Sequence, residues 1–336
     1  MEPRVAVPQG DLGGIAPEVL LHSLADASRR SSCRPVILGH RVALEAIAKE
    51  MGITIELQSV TTAEEGFALP TDSPIPVLEL ESQMPETNLG RPSAELGMAS
   101  VEAVLRSTNL CLEDGADVMV TPPISKESMH LAGYPFEGQT QILGETCRSR
   151  RYGMLACAGE LRVLVATRHM ALRQAISKLD PRFVAKQIRL AHEAARETLG
   201  LVAPSIVLAG LNPHAGENGA FGNEEQLVLE PAIQIAQEEW GFETAGPAVP
   251  DVVFGQGARG EWDIVIALYH DQAFLPLRML PRETAYSIFV GGKVLRTSPL
   301  HGTAYDIARS GKADARPFAF SLERGIDLAK TRLTCA

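Results

Sequence analysis

The chain has 336 residues, 45% of them hydrophobic and 21% charged, with a formal net charge of −10. That is the composition of an ordinary globular protein, long enough for two lobes or one large α/β unit. The acidic balance and the absence of basic runs argue against nucleic acid or an anionic membrane as the main partner, although local arginines can still hold a small anion.

Strand-like runs alternate with helix-like ones along the chain, which predicts a βα architecture with a largely parallel sheet. The N-terminus has no signal-peptide apolar core and no apolar run reaches transmembrane length, so a cytoplasmic location is expected. Val5-Ala-Val-Pro8 leads into a glycine-rich turn, Gln9-Gly-Asp-Leu-Gly-Gly-Ile-Ala-Pro-Glu18, and a helix over Pro17 to Ser23. Glycines there let the backbone approach a ligand, but a tight strand-to-helix turn needs them equally. Pro35 to Gly39 reads as a strand and Val42 to Met51 as an amphipathic helix. Leu57 to Pro92, rich in Pro, Ser, Thr and Glu, reads as an irregular excursion with short strands.

Ser93 to Glu113 reads as a long helix, with Leu96, Met98, Val101, Val104 and Leu105 near helical spacing. A strand over Ala116 to Thr121 follows, then the loop Thr121-Pro-Pro-Ile-Ser-Lys126, whose lysine meets either an anion or solvent. Gly133 to Gln141 is turn-rich, and Gln139 and Thr140 offer uncharged donors. Both stretches read as surface loops on their own.

Three apolar runs then end in a histidine: Val163 to His169, Ile206 to His214 and Ile264 to His270. Runs of this kind read as buried strands of an α/β sheet, and ligands in such folds sit just outside the carboxyl ends of the strands. Three imidazoles at that edge, His169, His214 and His270, suit a divalent metal with positions left open for substrate. Each is also readable as a strand-end residue with a hydrogen-bond partner. The polar clusters Asn212 to Glu217 and Tyr269 to Gln272 favour a site, because polar groups beside buried strands are costly unless exposed or fully bonded. Asp271 and Glu217 are candidates to orient an imidazole.

Helices are expected over Pro181 to Leu199 and Pro231 to Glu239. Gly255-Gln-Gly-Ala-Arg-Gly260 has the spacing of a dinucleotide turn. Its glycines run into the strand-like Glu261 to Tyr269, however, leaving no room for the helix that would hold a pyrophosphate. His301-Gly-Thr-Ala-Tyr-Asp306 sets a glycine beside a small hydroxyl residue, which suits a nucleotide, with Asp306 available to adenosine; alone, it reads as the start of a helix. The five cysteines make no CxxC pair, so neither a disulfide framework nor a zinc ribbon is predicted, and reduced thiols are expected.

The segments GDLGGIAPE, TPPISKESMHLAGYPFEGQT, TRH, GLNPHAGENGAFGNEE, YHDQAFLPL and RTSPLHGTAYDIARSGKAD, in this order, resemble the 4-hydroxythreonine-4-phosphate dehydrogenase family of pyridoxal phosphate (pyridoxine) biosynthesis, PdxA. The resemblance implies an α/β fold like isocitrate and isopropylmalate dehydrogenases, with two α/β lobes around a central cleft. The expected lobes are 1–128 plus 297–336, with the nucleotide loop, and 129–296, with the metal histidines and dimer contacts. It implies one divalent metal (Zn, Mg, Mn or Co) held by His169, His214 and His270 from both subunits of a homodimer with shared active sites. NAD or NADP is expected at His301, Gly302, Thr303 and Asp306, and a small hydroxy-acid substrate at Gln139, Thr140, Arg278, Ser287 and Arg296.

Several of these positions depart from the family pattern. Gln139-Thr140 stands for a His-Thr pair, Arg278 for a lysine, Ser287 for an asparagine, and GDLGGIAPE for GDPAGIGPE. An arginine fork suits carboxylate better than a lysine point charge does. The expected reaction is metal-assisted, NAD-dependent oxidation of a secondary alcohol near a carboxylate, followed by decarboxylation. Asp251, Lys126 and Asp271 are the candidate proton acceptors. A phosphorylated hydroxy acid, such as 4-phosphohydroxy-L-threonine or a phosphorylated sugar acid, stands slightly ahead of a cis-dihydrodiol carboxylate of the terephthalate type. A non-catalytic relative is disfavoured by the retained histidines and HGTA loop.

Overall fold

The computed structural model describes residues 2–85, 90–167 and 169–335. Its apolar runs become β1 (Arg4–Pro8), β2 (Arg34–Gly39), β3 (Leu57–Val60), β4 (Ile75–Glu79), β5 (Val118–Val120) and β6 (Gly153–Ala158). They continue as β7 (Leu161–Val165), β8 (Ile206–Ala209), β9 (Ala245–Ala248), β10 (Ile264–Ala267), β11 (Ala285–Val290) and β12 (Arg296–Pro299). The chain forms two compact units, residues 1–150 with 292–336 and residues 151–291. The first therefore runs past the expected break at 128, because helix Gln139–Thr146 packs on helix Ala94–Leu112 and keeps residues 129–150 with it.

In the first unit the strand order is β3-β4-β2-β1-β5-β12, all parallel. Val5, Ala6, Val7, Val36, Ile37, Val118 and Val120 are wholly inaccessible, as strands covered on both faces should be. The chain leaves β1 toward β2 on one side and β5 lies on the other, so the loops after β1 and β5 diverge at a topological switch point. Residues 57–79 form a regular strand-helix-strand unit, not the irregular excursion expected. Its helix, Ala63–Ala68, is nucleated by Thr62, which accepts from the Glu65 amide at 3.1 Å, while Glu65 accepts from the Thr61 amide at 2.8 Å. Residues 86–89 of that segment lie outside the described residues. The long helix begins on the Ser93 hydroxyl, which accepts from the Leu96 amide at 3.2 Å, and buries Leu96, Val101 and Val104. Met98, expected on that apolar face, is exposed.

In the second unit the order is β11-β6-β7-β10-β8-β9, antiparallel from β11 to β7 and parallel from β7 to β9. The three histidine-bearing runs thus supply neighbouring parallel strands, β7, β10 and β8. The glycine pattern 255–260 lies at the end of helix Pro250–Ala258 and the turn after it, not in a loop running straight into a strand. A Cβ on Gly257 would fall 2.8 Å from Leu161 Cδ1 and 2.9 Å from Val265 Cγ2. The glycine is there so that the helix can lie against β7 and β10, and the helix precedes its strand, the reverse of a dinucleotide turn. Among the described residues, no helix is long and apolar enough to cross a membrane.

Candidate active site

The carboxyl ends of β7 and β10 bring two of the three histidines together. The Ala166 amide donates to the Ala267 carbonyl at 2.9 Å and the Thr167 hydroxyl to the Leu268 carbonyl at 2.8 Å, tying the two strand ends to each other. Gln272 reinforces the same edge, accepting from the Leu268 amide and donating to the Gly210 carbonyl, both at 2.7 Å. On this frame the rings of His169 and His270 lie 4.9 Å apart, centroid to centroid. Two imidazoles on one tetrahedral ion, each nitrogen about 2.0–2.1 Å from it, put their centroids about 5 Å apart. His270 begins helix His270–Met279 and stacks on Phe274 one turn later, at 4.4 Å. Its Nδ1 donates to Asp271 Oδ1 at 3.0 Å, which leaves Nε2 as the ligand nitrogen, the usual arrangement of a metal-binding histidine. The donor set at this pair fits a divalent metal.

His214 is not brought to that pair. Among the described residues, no three His, Cys, Asp or Glu side chains lie close enough together to hold an ion. After β8 the chain turns left-handed for five residues in succession, from His214 to Asn218, with φ between 42° and 79°. For residues other than glycine such a conformation costs about 1–2 kcal/mol each, so the surroundings must impose it. The exposed His214 ring lies 6.0 Å from that of Phe221. Glu217, a candidate to orient an imidazole, is exposed. The carboxylate that organises the turn is Glu225, which accepts from the Leu211 and Asn212 amides at 2.8 Å each and from Asn212 Nδ2 at 2.9 Å. Burial pushes its carboxyl up, but these donors outweigh burial and hold it below the ordinary value.

A second constellation lies in the first unit. Arg296, at the start of β12, is 4% exposed, and no carboxylate pairs with it among the described residues. Its Nε donates to Thr121 Oγ1 at 2.8 Å and its Nη2 to Gln139 Oε1 at 2.9 Å, while Gln139 Nε2 donates to the Pro122 carbonyl at 2.9 Å. Both ends of the Gln139 amide are thus engaged by protein. Burial alone drags the guanidinium down to about 9. Gln139 and Thr140 open helix Gln139–Thr146, and a Cβ on Gly138 would sit 3.7 Å from Lys126 Cε, which brings the exposed lysine to the same helix start.

The loop His301–Asp306 is tied to the turn after β1. The Thr303 carbonyl accepts from the Ile15 amide at 2.9 Å, and the Tyr305 hydroxyl donates to Asp11 Oδ2 at 2.7 Å. Asp11 also accepts from the Gly13 amide at 2.9 Å and lies 3.2 Å from the Ser128 hydroxyl. Burial raises its carboxyl in spite of these bonds and also raises the Tyr305 hydroxyl. Gly302 and Asp306 are exposed, while His301 and Thr303 are half-buried.

Of the remaining predicted residues, Asp251 is exposed in the first turn of helix Pro250–Ala258, and Arg278 is exposed in the last turn of helix His270–Met279. Ser287 is buried in β11 opposite Ala156. Sequence reasoning passed over Thr121, Asp11, Tyr305, Gln272 and Glu225. Each sits inside a motif whose neighbours had been read for chemistry, and only the fold reveals that these five support the others.

A family model described as "Pyridoxal phosphate biosynthetic protein PdxA" matches residues 31–324. The chain is 37% identical over 334 residues to a 4-hydroxythreonine-4-phosphate dehydrogenase of Trichlorobacter lovleyi, covering 98% of this chain and 99% of the relative. It is 36% identical over 332 residues to a D-threonate 4-phosphate dehydrogenase of Cupriavidus necator, with 98% of each covered. The crystal structure of a Klebsiella pneumoniae 4-hydroxythreonine-4-phosphate dehydrogenase superposes with a TM-score of 0.87 at 34% identity, with 98% of each chain covered. The chain belongs to the PdxA family.

Proposed function

We propose that the protein is a dehydrogenase that oxidises a secondary alcohol on a small phosphorylated hydroxy acid, using NAD or NADP and a divalent metal. The observation that carries this is Arg296, a buried cation whose hydrogen-bond acceptors among the described residues, on Thr121 and Gln139, are both neutral. A charge so placed is costly unless an anion completes the site. The start of helix Gln139–Thr146, with Thr140 in its first turn, adds donors and positive potential for the same anion. The names of the similar proteins, both 4-phosphate dehydrogenases, favour phosphate as that anion.

A divalent cation on His169, His214 and His270 would supply Lewis acidity to the substrate hydroxyl, and nicotinamide at His301, Gly302, Thr303 and Asp306 would take the hydride. Around them the chain's own residues act on charge and protons. Arg296 and Thr140 hold the anion, with Arg278 and Ser287 completing the substrate shell. Asp271 holds the His270 ring, so the hydroxyl proton passes to Asp251 or Lys126. The β-keto acid that results can then lose carbon dioxide. Because His214 is apart from the His169–His270 pair, we assign the third ligand to the partner in a homodimer with shared sites. The exposed apolar residues Leu172 and Ile176 on helix Leu172–Lys178, and Leu275 and Met279 on the helix begun by His270, support such an interface. The likeness to isocitrate and isopropylmalate dehydrogenases underlies the nucleotide-loop assignment.

The experiment is one plate: purified protein, NAD or NADP, several divalent metals, and phosphorylated and unphosphorylated hydroxy acids beside dihydrodiol carboxylates. NADH absorbance with the phosphorylated acids alone is the expected result. Turnover confined to a dihydrodiol carboxylate would make Arg296 a carboxylate anchor, and no turnover with any substrate would refute the proposal.

A further inference from the structure

We infer that Glu225 is the positioning residue for His214, setting the backbone from which that imidazole is presented; the inference rests on the reading of His214 as a metal ligand. Five consecutive left-handed residues are not a conformation that Pro-His-Ala-Gly-Glu-Asn would choose, so something outside the turn must dictate it. Glu225 does so through both of its carboxylate oxygens. Its Oε1 holds the Leu211 and Asn212 amides just before the turn, and its Oε2 holds the Asn212 side chain. Within the turn, Gly216 is pressed on the same carboxylate, where a Cβ would come to 2.7 Å from Oε2 and 3.1 Å from the Gly222 carbonyl. Asn212 Nδ2 also donates to Glu224 Oε2 at 2.7 Å, so the anchor is itself held.

Glu225 is 3% exposed, whereas His214 is exposed, and among the described residues no hydrogen bond joins the two. The carboxylate's part is therefore indirect. Residues that orient a metal-binding histidine without touching the ion typically alter metal affinity by about 10–100-fold when changed. Neither Glu217 nor Glu224 replaces it. Glu217 lies within the left-handed turn and is exposed, and Glu224 reaches only the Asn212 side chain.

The test titrates Co²⁺ into the full-length protein and follows its visible absorption, which reports both affinity and ligand set without any turnover. Glu225→Gln is nearly isosteric, keeps one acceptor for the two amides and sets an NH₂ against Asn212 Nδ2. It is expected to weaken Co²⁺ binding about 10-fold and to shift the absorption band toward that of His214→Ala. Gly216→Ala, which displaces the turn from the carboxylate, is expected to do the same with Glu225 intact. A purely structural role would lower the melting temperature of Glu225→Gln and leave its Co²⁺ affinity within twofold of the parent, which overturns the inference. If His214→Ala itself binds Co²⁺ like the parent, the reading of His214 as a ligand fails first, and the Glu225 inference falls with it. Loss of binding in His214→Ala with normal binding in both other variants defeats the Glu225 inference alone.

Discussion

Replacing Arg296 by methionine separates a residue kept for a ligand from one kept for the fold. Burial drags the guanidinium from its ordinary 12.5 to about 9, which at about 1.4 kcal/mol per pH unit is a penalty of roughly 5 kcal/mol. At neutral pH the guanidinium keeps its proton, so the penalty persists until an anion relieves it. Against it stand two charge-assisted hydrogen bonds, to Thr121 and Gln139, worth about 1.5–3 kcal/mol each. The two nearly cancel. Arg296→Met, which fills similar space without charge, is therefore expected to change stability by no more than about 2 kcal/mol, or roughly 4–8 °C in a unit of this size. Anion binding should fall much further, by about 10–150-fold, for the loss of a charge-assisted pair.

The assay is thermal unfolding with and without inorganic phosphate, supported by phosphate inhibition of turnover. A ligand that binds only the folded state stabilises by about 2.7 kcal/mol at one hundred times its dissociation constant. The parent should gain that shift and the variant should lose it while melting near the parent's ligand-free temperature. A variant that melts far below the parent yet responds to phosphate as the parent does would refute the reasoning, since Arg296 would then be a structural cation.

Three further outcomes follow from the same network of contacts. Tyr305→Phe removes the 2.7 Å bond to buried Asp11; the Michaelis constant for NAD is expected to rise about 5–10-fold, the cost of roughly 1 kcal/mol, with kcat within twofold. Gly257→Ala drives a methyl against Leu161 and Val265, so urea unfolding should show a loss of about 1–3 kcal/mol, while unchanged NAD affinity would separate these glycines from the nucleotide. His192 is buried, stacked at 4.6 Å on Phe242, and held neutral down to about 4. Its unfolded form takes up a proton at the ordinary 6.5, so the stability it contributes is complete above that pH and drains away between 6.5 and 4. His192→Phe should flatten the pH dependence of urea unfolding in that window, and an unaltered slope would show that other groups govern it.

Much of the sheet was legible because parallel strands covered on both faces are continuous apolar runs, as in Val5 to Pro8 and Ile264 to Ala267. The placement of His169, His214 and His270 beyond three strand ends could be read for the same reason. What could not be read is the backbone beyond the strand. Nothing in Asn212 to Asn218 announces five left-handed residues, because their cause is a carboxylate a dozen residues on, buried only after the chain has folded back. The 57–79 segment reads as irregular because Pro, Ser and Thr mask a capped helix whose Thr62 and Glu65 signals are local and short. The glycines of 255–260 read as leading straight into a strand, because the helix they end is set by packing on Leu161 and Val265, which are distant or later in the chain. Gln139 shows a subtler limit: its identity was visible, but the fold engages both ends of its amide and makes it a support for Arg296.

That support bears on how substrate choice can change. Arg296, Gln139, Thr121 and Pro122 belong to one compact unit, whereas His169, His214, His270 and the carboxylates that hold them belong to the other. Arg296 and Gln139 are bonded to Thr121 and Pro122 of their own unit, and His270 to Asp271 of its own. An exchange at position 139 removes one of the guanidinium's two partners, so it can reorient Arg296 and alter which anion it accepts. A histidine at 139 would bring an imidazole that charges within the physiological range, making anion affinity rise as pH falls. Gln139 keeps the guanidinium as the one buried charge of its network. Binding of a fully ionised carboxylate to the parent should therefore vary little between pH 5.5 and 8, whereas Gln139→His should bind it more tightly at the acid end. A titration of the parent as steep as that of Gln139→His would place the governing charge outside this network.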